Sequence, residues 1–340
     1  MKTNLFNRMP FLALFLLFDF QGFSQENQPL FQKKEVLKIK IESNLKALQK
    51  DRGEKSIAHW ANLTYTDDQN KVIELPLKVK TRGHFRKDPS NCSFPPLLID
   101  FAKKKSKNTL FEGQDKLKLV AKCRTENFII NEYLVYEIYN LISDYSFKAR
   151  LVEVTYSDSL NKKQPETAYG FFIEDEKNLA KRNGIEKFER KNFPMSAVDS
   201  VNMATMMVFE YMIGNNDFSL AALHNIKLFS KNGNNFIPVA YDFDYSGIVE
   251  TFYATPPIEL EITSVRERLY RGLNYSPAVF KQVFDKFNSV KPQIYALYEG
   301  NTLLDAGYIK RTIKYLDKFY EIINDPKAVN KYFVAGKTRN

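Results

Sequence analysis

The chain has 340 residues, 44% of them hydrophobic, and a formal net charge of +10. That length suits two lobes rather than one small core, and the composition is globular rather than disordered or fibrous. Two cysteines and three widely separated histidines, His59, His84 and His224, do not make a zinc site. The aromatic residues sit at apolar spacing rather than among the basic ones, which argues against nucleic-acid binding.

At the start of the chain Lys2 and Arg8 precede an apolar run from Phe11 to Phe18, and Gly22-Phe23-Ser24 offers a cleavage point before Gln25. This pattern predicts a secretory signal peptide over residues 1–24. The run is broken by Asp19 and is far shorter than the ~20 residues a bilayer requires, and no later stretch is longer. The mature chain is therefore expected to be exported, to the periplasm or the medium, without a transmembrane segment. In an oxidising compartment Cys92 and Cys123 are expected to pair.

A β-rich part is expected over 25–178 and a mostly helical part over 179–340. In the first, a helix is expected at 35–49 and a strand at 72–80, with Pro76 putting it at an edge or a bulge. Leu117, Leu119 and Ala121 alternate with Lys116, Lys118 and Val120 in a half-buried strand over 115–121. A helix at 127–143 follows, with Ile130, Leu134, Ile138 and Leu141 on its apolar face and Glu132 and Glu137 off it. Further strands are expected at 151–156 and 168–173. In the second part Pro194 and Ser196 open a helix, with Ser196 and Asp199 at capping-box-like spacing. Met203, Met206, Met207, Phe209, Tyr211 and Met212 make it apolar nearly all round, so it is expected to be central and to deliver Asn216 and Asp217 at its C-terminal end. Later helices are expected at 277–290 and 308–323.

Between Ile213 and Gly247 carboxylates and carboxamides gather around one predicted hairpin. Residues 226–230 and 236–241 are apolar strand candidates, and Asn232-Gly233 between them is a strong hairpin signal. A hairpin brings its outer ends together, so Asn225 and Asp242 are expected side by side, with Asp217 a short loop upstream and Asp244 two residues on. Hard oxygen ligands of this kind, one or two carboxylates with the remaining positions left to water and phosphate, suit Mg²⁺.

The order Asp217, Asn225, Asp242, Gly247 resembles that of protein-kinase-like enzymes, in which a base Asp precedes a metal-binding Asn, a hairpin and a metal-binding Asp. The nearest likeness among such families is to the CotH-type secreted kinases. Lys80-Thr81-Arg82-Gly83-His84-Phe85-Arg86 and the apolar stretch from Phe94 to Phe101 are similar to that family's Arg-Gly segment and following strand. The resemblance spans roughly residues 80–247. It implies an α+β, two-lobed kinase-like fold and metal-dependent phosphoryl transfer from ATP or another nucleotide to a hydroxyl on a protein or glycan acceptor. In that scheme Asp217 orients or deprotonates the acceptor, Asn225, Asp242 and Asp244 hold Mg²⁺ or Mn²⁺, and Glu174 falls at the hinge. Lys118, paired with Glu137, and Arg82 contact phosphate, with Lys116 and Lys122 as alternatives to Lys118. Two features depart from the pattern. Seven residues separate Asp217 from Asn225, more than in H-R-D-x-x-x-x-N, which leaves open which Asp is the base, and there is no Gly-rich phosphate loop. Both suit a second reading, a non-catalytic exported protein on a degenerate kinase-like scaffold that binds a surface polymer or a partner protein.

Overall fold

The computed structural model describes residues 28–335, so the signal-peptide expectation falls outside the described residues. Alternating sequence in the first half builds seven strands: β1 (Leu37–Ser43), β2 (His59–Thr66), β3 (Val72–Thr81), β4 (Leu97–Phe101), β5 (Lys116–Val120), β6 (Ala149–Asp158) and β7 (Glu166–Ile173). They close into a barrel in the order β1-β2-β3-β4-β5-β7-β6. All neighbours are antiparallel except β1 and β6, whose parallel pairing, Leu37 opposite Val152 through Ser43 opposite Asp158, seals the seam. Ile39, Ile41, Leu63, Leu77, Val79, Leu117, Leu119, Val154 and Phe172 point inward and fill the interior, as a small barrel requires. Strands followed by helices give the expected mixed α+β arrangement, but seven strands closed on themselves are not a typical kinase lobe.

One local expectation fails here and another holds locally, each for an identifiable reason. The predicted helix at 35–49 is β1 followed by a short helix, α1 (Leu45–Lys50), capped by Asn44. Leu37, Ile39 and Ile41 alternate with Lys38 and Lys40, a period of two that satisfies a strand face and defeats a helix. Pro76 marks a local edge: β3 lies between β2 and β4, but Pro76 sits just beyond the Leu77–Phe101 pair where β4 ends, so it has a strand partner on the β2 side alone. Without an N–H it could not serve a ladder on that side.

The outer face of β5, β6 and β7 supplies a second core. Val120, Leu151, Phe171 and Ile173 pack against helix α3 (Glu126–Ile142), after a four-residue turn of helix, α2 (Lys103–Ser106), has linked β4 to β5. The same apolar cluster continues into the helical half, so the core straddles the expected boundary near residue 180. Helix α4 (Glu176–Asn183) and the two-residue strand β8 (Glu186–Lys187) lead to helix α5 (Ser200–Ile213). Helix α5 is buried on nearly every side, as its sequence implies. It is capped by Asp199, whose side chain accepts from the Asn202 amide, while Ser196 lies in a preceding 3₁₀ turn. The capping position is therefore one turn later than the spacing suggested. Strands β9 (Ile226–Lys231) and β10 (Asn235–Ala240) form the expected hairpin, with β8 added at the β9 edge. Helices α6 (Pro277–Ser289), α7 (Lys291–Glu299), α8 (Ala306–Ile323) and α9 (Pro326–Val329) complete the described chain.

Cys92 and Cys123 are disulfide-bonded, with Cα atoms 4.9 Å apart. The bond ties the segment after β3 to the turn between β5 and α3. Among the described residues no helix is long and apolar enough to cross a membrane.

Candidate active site

Helix α5 ends at Gly214, whose left-handed backbone (φ 67°) lets its N–H reach back to the Glu210 and Tyr211 carbonyls. The chain then turns sharply, the Asn215 side chain accepting from the Asp217 amide at 3.1 Å. This delivers Asp217 to the mouth of the β9–β10 hairpin. Asn225 donates through Nδ2 to the Asp217 carbonyl at 2.7 Å and to its carboxylate at 3.1 Å. His224 Nε2 lies 3.1 Å from the other carboxylate oxygen. The Tyr241 amide donates to the Asn225 carbonyl at 3.0 Å, extending the hairpin ladder by one pair and placing Asp242 next to Asn225. The long Asp217-to-Asn225 spacing is thus absorbed by a loop, closed by paired hydrogen bonds between Ser219 and His224, that returns Asn225 to Asp217.

Asn225 (φ 53°) and Asp242 (φ 66°) both occupy the left-handed backbone region. After glycine, Asn and Asp are the residues that enter this region most readily, at a cost of about 1 kcal/mol that the surroundings can offset. At Asp242 the Tyr136 hydroxyl of α3 does so, accepting from the Asp242 amide at 3.0 Å. Asp242 is open to solvent on one side, yet crowding by protein raises its carboxyl to about 6. Asp244 and Asp217 add to the rise, and Arg86 and Arg82 oppose it.

Facing these carboxylates is a cationic group. Lys118 on β5 is flanked by the charges of Arg82, Glu176, Lys227 and Asp242, and burial, reinforced by Arg82 and Lys227, lowers its pKa. Lys118 and Lys227 stand 5.7 and 5.2 Å from the centre of the Tyr241 ring. Lys227 is also paired with Glu176 at 3.1 Å. Asp242 is among the charges that act on Lys118. Arg82, just past β3, is near enough for its charge to act on both Lys118 and Asp242.

The expected Lys118–Glu137 pair does not form. Glu137 is buried and bonds to Lys34, and Lys148 and Arg150 feel its charge. The α3 residue that joins the site is Glu132, five positions earlier and about 140° round the helix. Arg86 donates through Nη2 to Glu132 at 2.6 Å and through Nε to Asp244 at 3.1 Å and to the Tyr253 hydroxyl at 2.8 Å. Tyr253 in turn donates to Asp244 at 2.8 Å. Burial, with Asp244 and Asp242 acting in the same direction, outweighs Arg86 and raises Glu132 to about 8. Asp244 thus has one carboxylate oxygen committed to an anchor rather than free for a cation. Phe85 rests on Tyr253, ring centres 4.6 Å apart, so the Arg-Gly segment clamps the Asp242–Gly247 turn. Arg86, Glu132, Glu176 and Lys227 were missed in the sequence. Arg86 stands within the quoted Arg-Gly segment, but only the three-dimensional register of α3 separates Glu132 from Glu137.

Glu174, expected at the hinge, lies in the connection between β7 and α4, where the chain leaves the barrel for the helical half. It is buried at the end of β7 and held by Arg182 at 2.9 Å and by the Lys148 amide at 3.0 Å. Under the Asp217 turn lies a second buried carboxyl, Glu210, raised to about 8 by burial and by Asp217, with Asn215 and Arg271 opposing.

No family model and no curated protein matches the chain.

Among the described residues no group of three or more His, Cys, Asp and Glu side chains is arranged to hold a metal by itself. A divalent cation at the hairpin mouth could take Asp242, the Asn225 amide oxygen and Asp217, with water and phosphate oxygens filling the remaining positions. Lys118, Arg82 and Lys227 could then receive the phosphates on the opposite side.

Proposed function

We propose that the chain is an exported, metal-dependent phosphotransferase that moves a phosphoryl group from ATP or another nucleotide to a hydroxyl on a protein or glycan. The observation that carries this reading is the approach of Asp217, Asn225 and Asp242 at one hairpin mouth, within reach of the charges of Lys118 and Arg82 from two other parts of the chain. Phosphoryl transfer asks the protein mainly for positioning and charge neutralisation, and these side chains supply both. Asp242 and Asn225 hold Mg²⁺ or Mn²⁺, Lys118 and Arg82 hold the phosphates, and Asp217 accepts the acceptor's proton. His224, beside the Asp217 carboxylate, orients it. Asp244 acts through Arg86 to fix the turn that carries Asp242.

The test is a melting curve of the mature protein with Mn²⁺ and ATP, alongside an assay for label transferred from γ-labelled ATP to protein or oligosaccharide hydroxyls. Metal and nucleotide together should raise Tm in the wild type and not in Asp242→Asn, and transfer should disappear in Asp217→Asn. Absence of any shift in the wild type would sink the phosphotransfer reading. A second reading, a non-catalytic binder of a surface polymer or partner protein, is favoured by the hydrogen bonds that already occupy Asp217 and by the closed barrel in place of a kinase-like lobe. A metal and nucleotide shift without transfer would support it.

A further inference from the structure

Within the helical half lies a cavity of about 450 Å³ whose lining includes Arg266, Arg268, Arg311, Lys314 and Lys318. Glu250 is the one carboxylate among the lining residues, and it is engaged by Arg266 at 2.6 Å. The balance is a surplus of four positive charges around a space large enough for several phosphate or sulfate groups.

Two observations separate this cavity from an ordinary solvated helix face. Its inner wall is fixed: Arg268 lies 3.6 Å over the Tyr315 ring and donates to the Met212 carbonyl at 3.1 Å and the Tyr315 carbonyl at 2.6 Å. Tyr315 is itself lodged against Gly214 and Gly247, where an added Cβ would come within 2.1 and 2.9 Å of its hydroxyl. Its outer wall is uncompensated. Arg311, Lys314 and Lys318 recur on one face of α8 at helical spacing, are exposed, and form no ion pair among the described residues. The contrasting case is the cavity lined by Lys103, Lys107, Lys116 and Lys177, where Glu112, Asp115 and Asp175 nearly balance the charge.

We propose that the Arg266–Arg268–α8 cavity is a binding site for a phosphate-bearing anion, separate from the hairpin site. A guanidinium fixed by backbone carbonyls and ring stacking is preorganised for such an anion, and the exposed Arg311, Lys314 and Lys318 of α8 add positive charge to the same cavity.

The experiment is isothermal titration of the full mature protein in EDTA, which removes metal-dependent binding at the hairpin. One arm uses inorganic pyrophosphate, a second long-chain polyphosphate, and a third vesicles of anionic phospholipid, to separate a small-molecule source from a polymer or a membrane. Arg311→Glu combined with Lys318→Glu changes only exposed positions, so the fold is retained. Binding of pyrophosphate or polyphosphate should weaken by about tenfold or more in that variant. It should change less than about twofold in Lys118→Ala, which probes the hairpin site, and in Lys103→Glu with Lys107→Glu, which probes general surface charge. Binding of vesicles alone, lost in the α8 variant, would assign the site to lipid phosphate. Binding that is unaffected by the α8 variant, or is lost equally in the Lys103 and Lys107 variant, overturns the proposal, as does no binding in any arm.

Discussion

Asp242 combines a left-handed backbone conformation with a carboxyl held at about 6. Its folded value lies above the unfolded 3.8, so the native state binds its proton more tightly. This group's contribution to stability therefore falls as pH rises through the window from 3.8 to about 6. A cation must displace that proton. The Mn²⁺-induced rise in Tm should consequently be small at pH 5, grow through pH 6 and level off above pH 7, and Asp242→Asn should abolish both the rise and its pH dependence. A rise of constant size across that range would contradict the assignment of Asp242 as the titrating ligand. Glu210 follows the same sign over a wider window, from 4.5 to about 8, because burial is again the leading cause. Glu210→Gln keeps the shape without the charge, so its stability should decline less steeply than the wild type's between pH 5 and 8 in chemical denaturation at a series of pH values. The approach of Asn225 to Asp217 and Asp242 was legible because the order of these residues around a hairpin is a local property of the sequence, whereas Lys118 entered only through the kinase-like resemblance. Glu132 was not legible, because it and Glu137 are both polar interruptions of an apolar helix. Only the packing of α3 decides that one meets Arg86 and the other Lys34.

Among the elements, the segment after β3 is the connector on which the site turn depends. Arg86 bridges two buried acidic side chains, Glu132 and Asp244, at once, and removing one partner of such a buried group strands the others. Arg86→Ala should destabilise the fold by about 3–5 kcal/mol, measured in urea. Replacement by Lys should recover only part of the loss, because an ammonium cannot match the spread of donors that Arg86 presents to Glu132, Asp244 and Tyr253. A second element-level test is Gly170 on β7, where an added Cβ would lie 2.7 Å from the Val120 carbonyl of the neighbouring strand. Gly170→Ala should part β5 from β7 and lower Tm, while alanine at Gly53, where nothing lies within 4 Å, should be tolerated. The hairpin was readable because Asn232 and Gly233 both adopt positive φ, which those two residue types tolerate best. Strand β1 was misread because a window containing both β1 and α1 blends a period of two with a helical one. Strand β2, from His59 to Thr66, went unassigned because Leu63 and Tyr65 are its only buried residues, too few to mark an apolar face.

For the molecule as a whole, the shared core makes a prediction about cooperativity. Val120, Leu151, Phe171 and Ile173 from the barrel belong to the same apolar cluster as Phe209, Phe243 and Phe319 from the helical half. A fragment beginning near residue 179 would expose that surface, so it should not fold alone, and the intact chain should unfold in a single calorimetric transition. Reduction of Cys92–Cys123, which spans 31 residues, should lower stability by about 3 kcal/mol. A mixed fold with strands first was legible from the alternation of periods along the chain. Closure of the barrel was not, because it rests on a parallel pairing between distant segments that no local pattern announces. That seam also sets an order in time. Strand β1 is made before the other barrel strands, yet its partner β6 is complete only at Asp158, so during synthesis the growing sheet must wait with two unsealed edges. Closing so long a loop is slow, and until it happens those edges can pair with other chains. The barrel therefore offers its widest opportunity for mispairing before the residues of the hairpin site have been made.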